Sequence, residues 1–295
     1  MNLQQQLIDL LPTKEFFIGI DSDGCVFDTM EIKHKECFCP NYIKYFGLQP
    51  VSKYAREVWE FVNLYSKTRG CNRFIALQKA LRFLNEREEV QRRNFKTMDF
   101  SPLTEWTKKE KKLGNPALEK YAAEGHGSFI DLCLKWSKAV NRSIEEVVFG
   151  ISPFPFVIEF LEAINGKADV IVVSQTPLEA LEREWKENSI DAYARVIAGQ
   201  EYGTKSEHIK FASTGKYNPD KMLMIGDAPG DLKAARSNNS LFFPVNPGNE
   251  EKSWERLVNE GLDKFFNGTF KGTYQDVLIK EFEEYLPEKP KWKAV

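Results

Sequence analysis

Two pairs of closely spaced carboxylates follow short apolar runs. Phe16–Ile20 (FFIGI) leads into Asp21-Ser22-Asp23-Gly24-Cys25-Val26-Phe27-Asp28, and Met222–Ile225 (MLMI) leads into Gly226-Asp227-Ala228-Pro229-Gly230-Asp231. Asp is a poor strand former, and crowding it beside another charge is costly. The plainer reading of the first segment is that Asp-Gly marks a turn. If the two runs are neighbouring strands of an open parallel sheet, three or four carboxylates converge beyond the strands' carboxyl ends, where such sheets bind ligands. Like charges that close do not all stay ionised unaided. A divalent, oxygen-loving cation resolves the conflict, and Mg²⁺ takes few carboxylates together with phosphate oxygens.

Two further segments supply the complementary chemistry. Val170–Val173 (VIVV) ends in Ser174-Gln175-Thr176-Pro177. A small hydroxyl residue before free amides at a helix start makes an anion cradle, and the same letters also read as an ordinary helix N-cap. Lys205 follows RVIAGQEYGT and precedes a helical pattern. A lone Lys is normally a solvated surface residue, but here it is available as a point charge for carboxylate and phosphoryl groups. Lys210 and Lys216 compete for that role.

The elements that would position these residues are legible as short β-rich runs without polar alternation: FFIGI, VIVV, Arg195–Ala198, MLMI and Leu241–Val245. Strands buried on both faces of a parallel sheet read this way. Helical spacing separates the later runs, at Phe156–Ile164, Leu178–Trp185 and Leu232–Ala235. Residues 155–245 therefore predict β-α-β-α units and a Rossmann-like, doubly wound α/β sheet. The stretch 30–152 is charged and helical in period, without a buried strand, and predicts an all-helical insertion. The α/β domain is then 1–29 plus 153–295. Residues 250–295 predict amphipathic helices with Trp254, Leu257, Val258, Leu262 and Phe265 as the apolar stripe.

Composition excludes several classes. The chain has 295 residues, 41 Lys+Arg against 43 Asp+Glu, and a formal net charge of −2. That balance predicts no nucleic-acid partner. At ~150 residues per domain the length predicts about two domains. No apolar run approaches the ~20 residues that span a bilayer, and the first residues lack a basic region followed by an apolar one. The odd count of 5 Cys, without a C-x-x-C pair, predicts free thiols and a cytoplasmic setting.

Taken in order, these segments resemble the four motifs of the haloacid dehalogenase superfamily: D-x-D-G at Asp21–Gly24, the hydroxyl at Ser174, the Lys at Lys205 and G-D-x-x-x-D at Gly226–Asp231. The resemblance covers about 1–29 and 153–250, and the insertion lies where that superfamily places a helical cap. It implies Asp21 as nucleophile, forming an aspartyl-phosphate. It implies Asp23 as general acid and then base. Ser174, with Gln175 and Thr176, would bind the phosphoryl group, and Lys205 would steady it. Mg²⁺ would be held by Asp21, the Asp23 carbonyl, Asp227 and Asp231. Carbon–halogen dehalogenases of the superfamily lack the second Asp, and its transport ATPases carry Thr there. Asp23 therefore points to Mg²⁺-dependent hydrolysis of a phosphomonoester on a small phosphorylated metabolite. A sugar-phosphate mutase, a phosphonate-cleaving enzyme and a non-catalytic binding protein are the alternatives. Substrate choice is expected in the cap, where Lys67–Phe74 joins two helical patterns. Arg69, Asn72 and Arg73 are its predicted substrate contacts, against the plainer reading of a solvated connection.

Overall fold

A computed structural model describes residues 3–293. The chain divides into two compact units. One runs to Met30 and resumes over Gly150–Leu286; the other comprises Glu31–Phe149 and the chain from Pro287 on.

The first unit is built on five parallel strands: β1 Phe16–Ile20, β2 Ala168–Val173, β3 Val196–Ala198, β4 Met222–Gly226 and β5 Leu241–Pro244. Their order is β3-β2-β1-β4-β5, so β1 lies central between β2 and β4. All five fall on the apolar runs read from the sequence. The period of two sorts their side chains onto opposite faces. Ile18, Ile20, Val170, Val172, Leu223, Ile225, Leu241 and Phe243 share one buried cluster. Phe17, Ile171, Val173, Met222, Met224 and Phe242 share the other. Helix Val157–Ile164, Trp185, Trp254, Leu257, Leu262 and Phe265 cover the first face. Leu7, Ile209, Ala212, Leu232, Ala235 and Phe282 cover the second. The sheet is thus doubly wound, with helices on both sides, which is the Rossmann-like α/β class.

Two features of this unit departed from expectation. The helix Leu3–Ile8 was not legible in the sequence; it is too short for a periodic signal. Its end is fixed by Lys216, whose ammonium donates to the carbonyls of Leu7, Ile8, Leu10 and Phe211. The stripe after Trp254 is broken by a π turn at Leu257–Gly261; Trp254, Leu257, Leu262 and Phe265 are buried and Val258 is partly buried.

The second unit is all-helical, as its periodicity indicates. Its longer helices are Ser52–Asn63, Arg73–Glu86 and Ser128–Val147. Val58, Val62, Leu77, Leu81, Leu84, Trp136 and Val140 form its core with Tyr42, Trp59, Phe74 and Trp106. The tail from Pro287 groups with this unit and not with the α/β unit to which the sequence reading assigned it. Trp292 is the physical reason. Its ring packs 5.4 Å from Phe61, and the Arg87 guanidinium lies 4.6 Å over it. Lys293 pairs with Glu86. A single aromatic anchor outweighs the charged character of the surrounding tail.

All five cysteines are free thiols. Among the described residues no helix is long and apolar enough to cross a membrane.

Candidate active site

Strand register brings the motif segments together. Ile20 is paired with Val172 on one side and Ile225 on the other. The residues that follow these three positions therefore emerge side by side at the carboxyl edge of the sheet. The Asp21 amide donates to the Ile225 carbonyl at 3.0 Å, extending the ladder to the carboxylate itself.

The loop after β1 is held tightly. The Ser22 carbonyl accepts from the amides of Cys25, Val26 and Phe27, and Gly24 donates to the Phe27 carbonyl. Gly24 has φ +73°, the left-handed region that glycine enters without steric cost. Two buried indoles pin the loop from the first face of the sheet. Trp185 donates to the Ser22 hydroxyl at 3.1 Å, and Trp254 donates to the Cys25 carbonyl at 2.8 Å. The sequence showed both tryptophans only as members of apolar stripes. Their hydrogen-bonding role has no local signal, because each partner lies far away in the chain.

The loop after β4 is shaped by Gly226 and Asp231. Asp231 sits in the first turn of helix Pro229–Ser237 and accepts the Ala228 amide at 3.0 Å. A carboxylate at that helix position satisfies an amide that has no partner within the helix. Asp21, Asp227 and Asp231 are buried, each offering an oxygen within 4.8 Å of the others. The Lys205 ammonium reaches into this group, 2.6 Å from Asp21 Oδ2 and 2.7 Å from Asp231 Oδ1. Lys205 opens helix Lys205–Ser213, whose start is fixed by a capping box between Thr204 and Glu207. Lys210 is exposed, and Lys216 is committed to the carbonyls described above. Lys205 is therefore the lysine that meets the carboxylates.

The electrostatics follow from that count. Burial pushes the Asp21 carboxyl well above its ordinary range; Lys205 pulls it back, and Asp231 and Asp227 push it up again. Burial likewise raises Asp231 against the pull of Lys205. Burial works against the Lys205 cation, but Asp21 and Asp231 outweigh it and hold the ammonium protonated. Three buried carboxyl groups face one ammonium, so their full ionisation would leave excess negative charge unless a further cation joins them. Oxygen donors with that deficit fit a divalent hard cation such as Mg²⁺.

Ser174 is buried and accepts the Thr176 amide at 3.2 Å, leaving its own hydroxyl proton to donate. Gln175 is exposed, and its amide group donates to the Gly203 carbonyl at 2.8 Å. Thr176 Oγ1 donates to Asp23 Oδ2 at 2.7 Å, while Thr29 Oγ1 donates to Asp23 Oδ1 at 2.5 Å.

Arg69, Asn72 and Arg73 lie in the helical unit. Arg69 is buried and donates to the Leu64 carbonyl at 2.9 Å. The Asn72 carboxamide caps helix Arg73–Glu86 through the Phe74 amide and donates to the Leu113 carbonyl. Arg73 donates to Ser137 Oγ at 3.0 Å and Asn141 Oδ1 at 2.6 Å, with its guanidinium 5.1 Å over Phe38. Burial lowers its pKa to about 10. The charges of Arg69 and Arg73 are satisfied by carbonyl, hydroxyl and carboxamide oxygens within the helical unit, while Asn72 stays exposed.

Neither a family model nor a curated protein matches the sequence. Solved structures similar to this chain include a haloacid dehalogenase-like family hydrolase from Streptococcus pneumoniae, at 14% identity, 83% of this chain, 92% of that one and a TM-score of 0.49. A beta-phosphoglucomutase from Clostridium difficile is also 14% identical, covering 86% and 98% at a TM-score of 0.48. A predicted phosphatase from Clostridium acetobutylicum is 14% identical, covering 85% and 100% at 0.44. The Rossmann-like fold itself rests on the strand order and parallel registers described above.

Proposed function

We propose that this chain is a Mg²⁺-dependent phosphomonoester hydrolase of the haloacid dehalogenase superfamily, acting on a small phosphorylated metabolite through an aspartyl-phosphate. One observation carries this reading: three buried carboxylates and one partly buried ammonium, drawn from three separate segments, meet at the carboxyl edge of the sheet. Such a group is unfavourable for folding unless it is used, which makes it a site signal.

Asp21, Asp227, Asp231 and the Asp23 carbonyl would hold the cation, which when bound neutralises phosphoryl charge. The Asp21 carboxylate attacks phosphorus, forming one O–P bond as the bond to the leaving oxygen breaks. Asp23 gives its proton to that leaving oxygen, then takes a proton from the water that cleaves the aspartyl-phosphate. The Ser174 hydroxyl and the Gln175 amide bind phosphoryl oxygens. Lys205 favours the ionised form of Asp21 against its burial and orients it. The reaction is then mainly positioning and charge neutralisation, as phosphoryl transfer requires.

The test is Mg²⁺-dependent phosphate release by purified protein from aryl phosphates and a panel of phosphorylated metabolites. The panel includes hexose phosphates for the mutase alternative and a phosphonate for the carbon–phosphorus alternative. Turnover that is abolished by chelator and by Asp21→Asn, with a phosphoryl adduct trapped on Asp21, is the expected result. A wild-type protein inert across the whole panel overturns the reading in favour of a binding module.

A further inference from the structure

Asp23 stands apart from the other motif carboxylates. It is not one of the three buried side chains that converge near Lys205, and it is only partly buried. Each of its oxygens instead accepts a hydroxyl from a different segment. Thr29 opens the short helix Thr29–Ile32 that follows the same loop, whereas Thr176 is 153 residues away, beyond the end of β2.

The Thr176 hydroxyl is not placed by chance. The Thr176 amide donates to Ser174 Oγ at 3.2 Å, and its carbonyl accepts from the Gln200 amide at 3.1 Å. Gly199 packs so closely that an added Cβ would lie 2.8 Å from both the Thr176 carbonyl oxygen and the Leu178 amide nitrogen. Thr176 is therefore fixed from both sides of its peptide, and its side chain presents a hydroxyl at a set position.

Resting on the phosphatase reading above, we propose that Thr176 is a positioning residue that aims Asp23 at the leaving-group oxygen. A carboxyl on two rotatable bonds samples several directions, and proton transfer needs one of them. A threonine hydroxyl suits both halves of the cycle. It donates to Asp23 when Asp23 is a carboxylate, and by turning about its C–O bond it accepts when Asp23 carries the proton. In the first half the Asp23 proton goes to the departing oxygen as the Asp21–phosphorus bond forms. In the second half Asp23 recovers a proton from water as the water oxygen bonds phosphorus and Asp21 leaves. The contact couples the general acid to the same short segment that carries Ser174, so acid and phosphoryl cradle keep one relative geometry.

The experiment compares Thr176→Val, Thr176→Ser and wild type on two probes, phenyl phosphate and 2,4-dinitrophenyl phosphate, with Mg²⁺. Phenolate is a poor leaving group and needs the proton; dinitrophenolate leaves largely without it. The readout is the ratio of the two kcat/KM values, which a general loss of folding does not move. Thr176→Val is expected to lower the phenyl-to-dinitrophenyl ratio on the order of tenfold, out of the ~10²–10⁴ that general acids contribute. Thr176→Ser is expected to restore it. A ratio unchanged or raised in Thr176→Val overturns the proposal. Crystal structures of the wild type and Thr176→Val decide the positioning independently of turnover: the Asp23 carboxyl should leave its place in the variant, and an unmoved carboxyl overturns the proposal. A wild-type protein inert on both probes removes the phosphatase reading and with it the catalytic half of this inference.

Discussion

An added Cβ at Gly226 would lie 2.4 Å from both Cβ and Cγ of Asp231. The glycine that ends β4 is the space in which the Asp231 side chain lies, and that side chain in turn meets Lys205 and the Ala228 amide. The Gly-Asp spacing in this segment is thus a packing requirement as well as a chemical one. Gly226→Ala is expected to lower stability by roughly 1–3 kcal/mol through overpacking. Displacing Asp231 should also lower phosphate release by about 10²-fold. Urea midpoints and aryl phosphate turnover measure the two effects, and a variant unaltered in both would show that β4 has room to give.

In the helical unit, Arg73 is held by side chains of the helix Ser128–Val147. Its guanidinium is satisfied by Ser137 and Asn141 and stacked on Phe38. Arg73→Ala leaves those partners without a donor and opens space beside the ring, at about 2 kcal/mol. The expected signature is a lower melting temperature of the purified protein with an unchanged KM for its phosphorylated substrate. A raised KM at unchanged stability would instead support Arg73 as a substrate contact.

His208 sets an acid limit on stability. It is fully buried beside Tyr202, and burial lowers its pKa from 6.5 to about 4. Above pH 6.5 the ring is neutral in both folded and unfolded chains and contributes no slope. As pH falls below 6.5 the unfolded chain takes up a proton that the folded chain refuses, so stability declines until about pH 4. The full loss corresponds to roughly 3 kcal/mol. Urea denaturation of wild type and His208→Gln across this window should show a shallower decline in the variant; parallel curves would assign the acid lability to other groups.

The sequence by itself determined what local chemistry and periodicity can encode. Apolar runs without alternation placed all five strands, because a strand buried on both faces has no polar positions to hide it. The types and spacing of Asp21, Asp23, Asp227 and Asp231 marked the edge where charge would gather. The helical periods of Phe74, Leu77, Leu81 and Leu84 announced the second unit. What only the tertiary structure decided are pairings between segments far apart in the chain. Lys205 is distinguished from Lys210 and Lys216 by which one faces Asp21 and Asp231. Thr176 meets Asp23, and Trp185 and Trp254 anchor the first loop, through contacts that no local pattern carries. The tail beyond Pro287 joined the helical unit through Trp292. A hydrogen bond or ion pair depends on where two backbones bring their side chains, and a residue's type alone does not carry that distance.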